Sequence, residues 1–537
     1  MFLANIEGEY EMQQIKILDC TLRDGGYINN WRFGKNKISD IIRNLEKAKV
    51  DIIECGFIRD IKYVEDSSVF SSMKQLAQVI YPKKHGTLYA IMVEQHNFKC
   101  ELIDDNNGDS ADLIRLTFRR NEWVDARDTA RILINKGYQV CIQPVGTAAY
   151  DDESLIALIK DVNSIKPYAF YLVDTLGIMY RNDVQRLFYL IDNNLSKDII
   201  LGFHSHNNLQ MSFADAQKLI ELASQRRLII DTSCYGMGRG VGNLNTELFM
   251  DYINSSIEQK YSIMPVLRII DKDLMSIYAE QRWGYDLPYF LSATVKCHPN
   301  YASHLLKKDT LSIDRIEKLL YLIPIDSRNE YNAELIERMY HDFQNCHVDD
   351  VHSIAVLKNE INKRKVLVLG AGYSLVCWNK KINRMIENFN LYTISTNFVS
   401  DLFKINALFI SNEKRFSMIS DEISKDKTLL ITSNLNKDIK NPSAVFDYDS
   451  LLGEGDASDN AGAMLIRVLK KVGVEQLYLA GFDGFDVDAD SNYYYSNYKK
   501  AMDYDTVTQK NSEISKQLKS ALEGLNYELL TPTKYEI

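Results

Sequence analysis

Eight short apolar runs alternate with stretches of helical character through the first half of the chain. The runs fall at 15–21, 51–57, 87–92, 112–117, 138–144, 168–174, 199–204 and 228–232. The segments between them carry apolar residues three and four apart, as Ile38, Ile41, Ile42 and Leu45 do within 36–49, and that spacing is the helical period. Eight strand-helix units over roughly 250 residues have the length and rhythm of a (β/α)8 barrel.

Beyond the barrel the pattern changes twice. Residues 266–364 read as a helical extension, ending in a polar connector over 345–364 with one apolar helical face. At 365 a buried strand runs into the turn Gly370-Ala-Gly372-Tyr-Ser374 and a helix, an arrangement that aims backbone N–H groups at an anion. Further strands at 391–396, 407–412, 428–433 and 476–481, with a helix over 459–472, predict an open doubly wound sheet. The expected class is α/β, with a TIM barrel over 1–265, the extension over 266–364 and a Rossmann-like domain over 365–537.

Length agrees, since 537 residues are too many for one barrel. The eight cysteines lack a paired short spacing, so they read as small buried hydrophobes in a reducing compartment. No signal peptide and no 18-residue apolar run is visible, which predicts a cytoplasmic protein without a membrane span. A net charge of −10 argues against nucleic acid as a partner. A homo-oligomer is compatible with all of this.

In a barrel of this kind the chemistry collects at the C-terminal ends of the strands. Arg23 and Asp24 lie just past the first strand, and His204 and His206 close the seventh. Side chains two apart on a strand point to the same side. A lone Asp after a strand is ordinarily a turn former, but closure makes strands one, seven and eight neighbours. Asp24, His204 and His206 then form a facial set of three ligands for an octahedral divalent ion. Asp174 and Thr175 end strand six at the same face, where they either tune the site or cap the next helix.

The segments TLRDGGY (21–27), VDTLGIM (173–179), GFHSHNNL (202–209) and IDTSCYGMGRGVGN (230–243) resemble the DRE-TIM (HMG-CoA lyase-like) superfamily of metal-dependent aldolases and acyl transferases. The nearest likeness is to 4-hydroxy-2-oxovalerate aldolase, over residues 15–265. The resemblance implies a Mn2+ or Mg2+ site, with Co2+ as a further candidate, and a 2-keto acid substrate bound through its carboxylate and keto oxygens. It implies that Arg23 holds the charge developing on an enolate, and it puts Asn243 near the metal. The aldolases carry a histidine as acid or base where this chain has Tyr27. A phenol with an ordinary pKa of about 10 is suited to donating a proton to the aldehyde. Condensing relatives have Glu-Gln or Leu-Gln where this chain has Gly26-Tyr27. The expectation is therefore a carbon-carbon lyase that forms or cleaves the bond between a pyruvate-type enolate and an aldehyde or sugar. An acyl-CoA-dependent Claisen condensing enzyme or a lyase of the same superfamily, and a non-catalytic scaffold with a nucleotide-sugar-binding C-terminal domain, are the alternatives.

GAGYSL (370–375), Asn397 and the stretch 458–485 resemble a Rossmann-like family that includes CMP-sugar-using sialyltransferases and pterin diphosphokinase-like proteins. The resemblance implies a nucleotide or nucleotide-sugar site at Gly370, Gly372, Ser374, Asn397 and Asn460. Leu375 stands where a dinucleotide fingerprint needs glycine, and no histidine follows His352 to serve as the base of sugar transfer. An aldolase making a keto-deoxy sugar for surface polysaccharide would account for the fusion.

Overall fold

The computed structural model describes residues 14–222, 226–423, 427–435, 439–455, 457–494 and 502–537. The chain divides into two compact units: residues up to 303 with 323–331, and 304–322 with 332–537. The helices of 266–364, expected as one extension, are thus shared between the two. Among the described residues no helix is long and apolar enough to cross a membrane.

In the first unit the strands are β1 (Ile15–Asp19), β2 (Ile52–Ile58), β3 (Val69–Phe70), β4 (Leu88–Glu94), β5 (Leu113–Phe118), β6 (Gln139–Pro144), β7 (Ala169–Asp174), β8 (Ile200–Ser205) and β9 (Leu228–Thr232). All pair in parallel, and β1 closes the sheet by pairing with both β2 and β9. The eight-stranded barrel is the one expected. The two-residue β3 is an added edge on β2, too short to stand out as an apolar run.

Strand alternation sorts the side chains into two layers. Leu18, Ile52, Ala90, Leu113, Cys141, Ala169, Ile200 and Ile229 fill the barrel interior. Their neighbours Ile17, Ile53, Ile91, Ile114, Ile142, Phe170, Leu201 and Ile230 pack outward against the helices. Glu54, Arg115, His204 and Asp231 share the inward parity, and all four are buried. A charged residue at an inward position must find a partner inside the barrel or remain costly.

The second unit contains β10 (Val366–Leu369), β11 (Tyr392–Thr396), β12 (Ala407–Ile410), β13 (Thr428–Thr432), β14 (Ala444–Phe446), β15 (Leu477–Ala480) and β16 (Tyr527–Leu529). They form one parallel sheet in the order β14-β13-β12-β11-β10-β15-β16. Val366 and Val368 face one apolar layer and Leu367 and Leu369 the other, so both faces are covered. The strand order reverses direction at β10, which makes the gap between β10 and β15 a topological switch point.

Candidate active site

The first turn after β1 is tight. The N–H groups of Arg23 and Asp24 both donate to the Cys20 carbonyl, and this carries both side chains back over the barrel axis. Asp24, His204 and His206 converge there, with one ligand atom from each lying within 4.8 Å of the other two. The His204 and His206 rings are 5.1 Å apart and nearly perpendicular, as expected of alternate residues leaving one strand end.

Each ligand is held from behind. His204 Nδ1 lies 2.9 Å from Asp231 Oδ2, and His206 Nδ1 lies 3.2 Å from the Asp174 carbonyl. Both rings therefore turn Nε2 toward Asp24, whose Oδ2 is 3.5 Å from His206 Nε2. Asn243 Nδ2 donates to the same Asp24 oxygen at 2.7 Å. His206 Nε2 and Asn243 Oδ1 are buried without a hydrogen-bond partner. An uncompensated buried acceptor is costly, and a cation bound among these atoms would satisfy it. The donor set and the orphaned nitrogen fit a divalent ion, with metal-binding imidazoles braced by a carboxylate and a carbonyl in the usual manner.

Behind the ligands runs a buried chain of charges. Arg23 donates to Asp24 Oδ1 at 2.5 Å and to Glu54 Oε2 at 2.8 Å. Glu54 also pairs with Arg115 at 2.6 Å, and Arg115 pairs with Asp231, which returns the chain to His204. Burial opposes ionisation of Arg23, but Glu54 and Asp24 outweigh it and raise its pKa. Burial likewise opposes the Asp24 carboxylate, which Arg23 nonetheless holds well below the usual range. His204 is pulled down by burial, against the upward effect of Asp231, so it stays neutral and free to coordinate.

Residues 110–266 match the family model described as HMGL-like. The oxaloacetate decarboxylase of Mycobacterium tuberculosis (strain ATCC 25618 / H37Rv) is 26% identical over 239 residues, covering 43% of this chain and 67% of that protein. The 4-hydroxy-2-oxovalerate aldolase of Geobacillus genomosp. 3 is 24% identical over 245 residues, covering 44% and 70%. Residues 110–266 thus carry an HMGL-like domain, and these similarities support placing the barrel in the DRE-TIM superfamily. Among solved structures, the HMG-CoA lyase of Brucella melitensis is 15% identical with a TM-score of 0.40, covering 48% of this chain and 96% of that one. The named relatives are an aldolase and a decarboxylase, and the Asp24, His204 and His206 cluster is a candidate divalent-metal site.

The remaining DRE-TIM positions divide. Tyr27 stands at the rim, 36% exposed, packed edge-on against Trp31. Burial and then the charge of Asp24 raise its phenol pKa. Asp174 turns its carboxylate away to accept from the N–H groups of Ile178 and Met179 at 3.0 Å, and only its carbonyl meets His206. Thr175 accepts from the Gly146 N–H at 2.8 Å. Both side chains are engaged in loop structure, and neither caps the next helix, Arg181–Asn194, whose N-cap is Tyr180. Glu54, Arg115 and Asp231 were missed. Their signal was present as single charges inside the apolar runs IIECGF, DLIRLT and LIIDT.

In the second unit the glycine turn differs from the expectation of donors facing outward. Gly370 N–H donates to Ala480 O at 2.8 Å and Gly372 N–H to Gly481 O at 2.9 Å. Ser374 N–H and Oγ both bond the Asp483 carboxylate. An internal carboxylate already sits where the anion was expected. The side chain of Asn397 accepts from Ser411 N–H at 3.1 Å, and that of Asn460 caps the following helix at Ala463 N–H, also 3.1 Å. All five residues nonetheless stand at or beside a cavity of about 720 Å³ at the strand ends, which Gly370, Gly372, Asn397 and Asn460 line.

Proposed function

We propose that the barrel is a metal-dependent aldolase that joins a pyruvate-type enolate to an aldehyde, or cleaves the corresponding product. The observation that carries this reading is His206 Nε2, buried without a partner and facing Asp24 and the second histidine. A Mn2+ or Mg2+ ion, when bound by Asp24, His204 and His206, supplies Lewis acidity to the carbonyl of a 2-keto acid. Arg23 is clamped by Asp24 and Glu54 with Nη2 left unpartnered. That nitrogen is available to hold the charge that gathers on the keto oxygen as a C3 proton leaves. Asn243 steadies Asp24 through Nδ2, and its Oδ1 is also buried without a partner.

Carbon-carbon bond formation then places negative charge on the aldehyde oxygen. Tyr27, kept protonated by its raised pKa, is the donor for that oxygen. The proton lost from C3 is matched by the one gained by the new hydroxyl, so all atoms of the two reactants remain in a 4-hydroxy-2-keto acid. Incubation with pyruvate and Mg2+ or Mn2+ in deuterated water, followed by mass spectrometry, tests the first half of this chemistry. Metal-dependent deuteration of the methyl group is expected, and its absence would reject the reading. Thiol release from acetyl-CoA would instead favour a Claisen enzyme.

For the second unit we propose nucleotide or nucleotide-sugar binding, supported by the cavity at the β10–β15 switch point, where open α/β sheets bind ligands. Because Asp483 occupies the glycine turn, the ligand would use the cavity wall beside that turn. Calorimetric titration of the full chain with CMP-, CDP- and UDP-linked ligands tests this, and no heat of binding at millimolar concentration would end it. A keto-deoxy sugar acid made by the barrel would give the two activities a common product.

A further inference from the structure

The loop after β9 passes directly over the candidate metal ligands. At Gly238 a Cβ would stand 2.8 Å from Asp24 Oδ2 and would overlap the Asn243 amide, so the backbone there has no room for a side chain. The next residue is Arg239, and its side chain has all the room that Gly238 lacks. It leaves the loop at the exposed rim, with its guanidinium carbon 5.9 Å from the centre of the Tyr27 ring.

A guanidinium presents a rigid fork of donors that matches a carboxylate or a phosphate. Among the described residues Arg239 forms no such pair. It meets the Tyr27 ring and His298, whose Nε2 is 3.0 Å from Arg239 Nη2. His298 is a neutral neighbour, since burial and then Arg239 itself push its pKa down to about 4. The ring fixes one edge of the guanidinium and leaves its charge uncompensated. Tyr289 closes the other side of the loop, its ring so near Gly240 that a Cβ there would overlap it. The cation is thus positioned by neutral groups, beside the residue proposed to protonate the aldehyde oxygen.

We propose that Arg239 is an anion subsite for the acceptor, so that the preferred aldehyde carries a carboxylate or phosphate at the end remote from its carbonyl. This rests on the aldolase reading above and names the substrate class it left open. The pyruvate half is held at Arg23 and the metal ligands, on the barrel axis. Arg239 lies at the rim on the Tyr27 side, where the tail of an acceptor would extend once its oxygen met the Tyr27 hydroxyl. A planar fork suits either anion through paired hydrogen bonds.

The test compares wild type and Arg239→Gln in the metal-loaded full chain with pyruvate and three acceptors: propanal, succinic semialdehyde and glyceraldehyde 3-phosphate. In wild type at least one charged acceptor should exceed propanal in kcat/KM, and which one does so separates the carboxylate from the phosphate source. In Arg239→Gln that advantage should fall about 10- to 100-fold, the size of a lost charge-assisted hydrogen bond, mainly through KM. Turnover of propanal and deuteration of pyruvate should stay within about threefold of wild type, since neither needs the tail. Equal losses for charged and neutral acceptors, or a wild type that does not favour charge, would overturn the subsite. Failure of wild type to deuterate pyruvate is a separate result, and it would remove the aldolase reading itself.

Discussion

Asp231 Oδ2 lies 2.9 Å from His204 Nδ1 and is also bonded by Arg115, so one carboxylate both orients a metal-type histidine and anchors a buried guanidinium. Asp231→Asn keeps the shape and removes the charge. Loss of such a supporting carboxylate weakens metal binding by about 10- to 100-fold. Leaving Arg115 with less compensation should also cost stability, up to about 3–5 kcal/mol for a broken buried pair. Metal titration by calorimetry together with denaturant unfolding reads both effects. Unchanged metal affinity would mean that His204 does not depend on Asp231.

Asp24→Asn and His204→Ala remove ligand atoms outright. After loading with Mn2+ and desalting, elemental analysis should find wild-type protein close to one equivalent and both variants nearly empty. Full occupancy in either one would show that the ion binds elsewhere.

Arg23→Lys and Tyr27→Phe separate two steps. A point ammonium cannot reproduce the contacts of Arg23 to Asp24 and Glu54 while also reaching the keto oxygen. Pyruvate deuteration should therefore drop by about 100- to 1000-fold, the usual cost of one such electrostatic group. Tyr27→Phe should leave deuteration nearly intact and slow aldol addition, because the two steps move different protons. Loss of deuteration in Tyr27→Phe would transfer Tyr27 to the enolisation step.

Asp215 supplies a pH test away from the metal ligands. Its side chain is buried with Oδ1 unpartnered, and burial, followed by the charge of Asp174, raises its pKa to about 7. An unfolded Asp titrates near 3.9. The folded state therefore binds this proton more tightly, and the stability it contributes is present below about pH 4 and lost as pH rises toward 7. Asp215→Asn cannot ionise, so it should gain on wild type across that window, by an amount on the order of 4 kcal/mol or less. Urea unfolding of both proteins at pH 4.5 and pH 8 measures it. The same difference at both pH values would mean that Asp215 does not carry the dependence.

Closure of the barrel was implied only by the count of eight strand-helix units. Its strands and the shared face of His204 and His206 were legible along the chain, because each depends on a local repeat of two or of three to four residues. So was the second parallel sheet, apart from β14 and β16, whose three-residue lengths leave too little periodicity to detect. What no local pattern contained was the partnering. Glu54, Arg115 and Asp231 each read as one misplaced charge in an apolar run. Only barrel closure brings Arg115 to Asp231 across 116 residues of sequence and links both to Arg23. The glycine turn at 370–374 had the composition of an open anion site, yet Asp483, 109 residues beyond Ser374, fills it once β15 lies beside β10. Hydrophobic periodicity is a property of neighbours in sequence and selects the elements. Charge compensation in a low-dielectric interior is a property of neighbours in space, so the register and closure of the sheets decided which charges met.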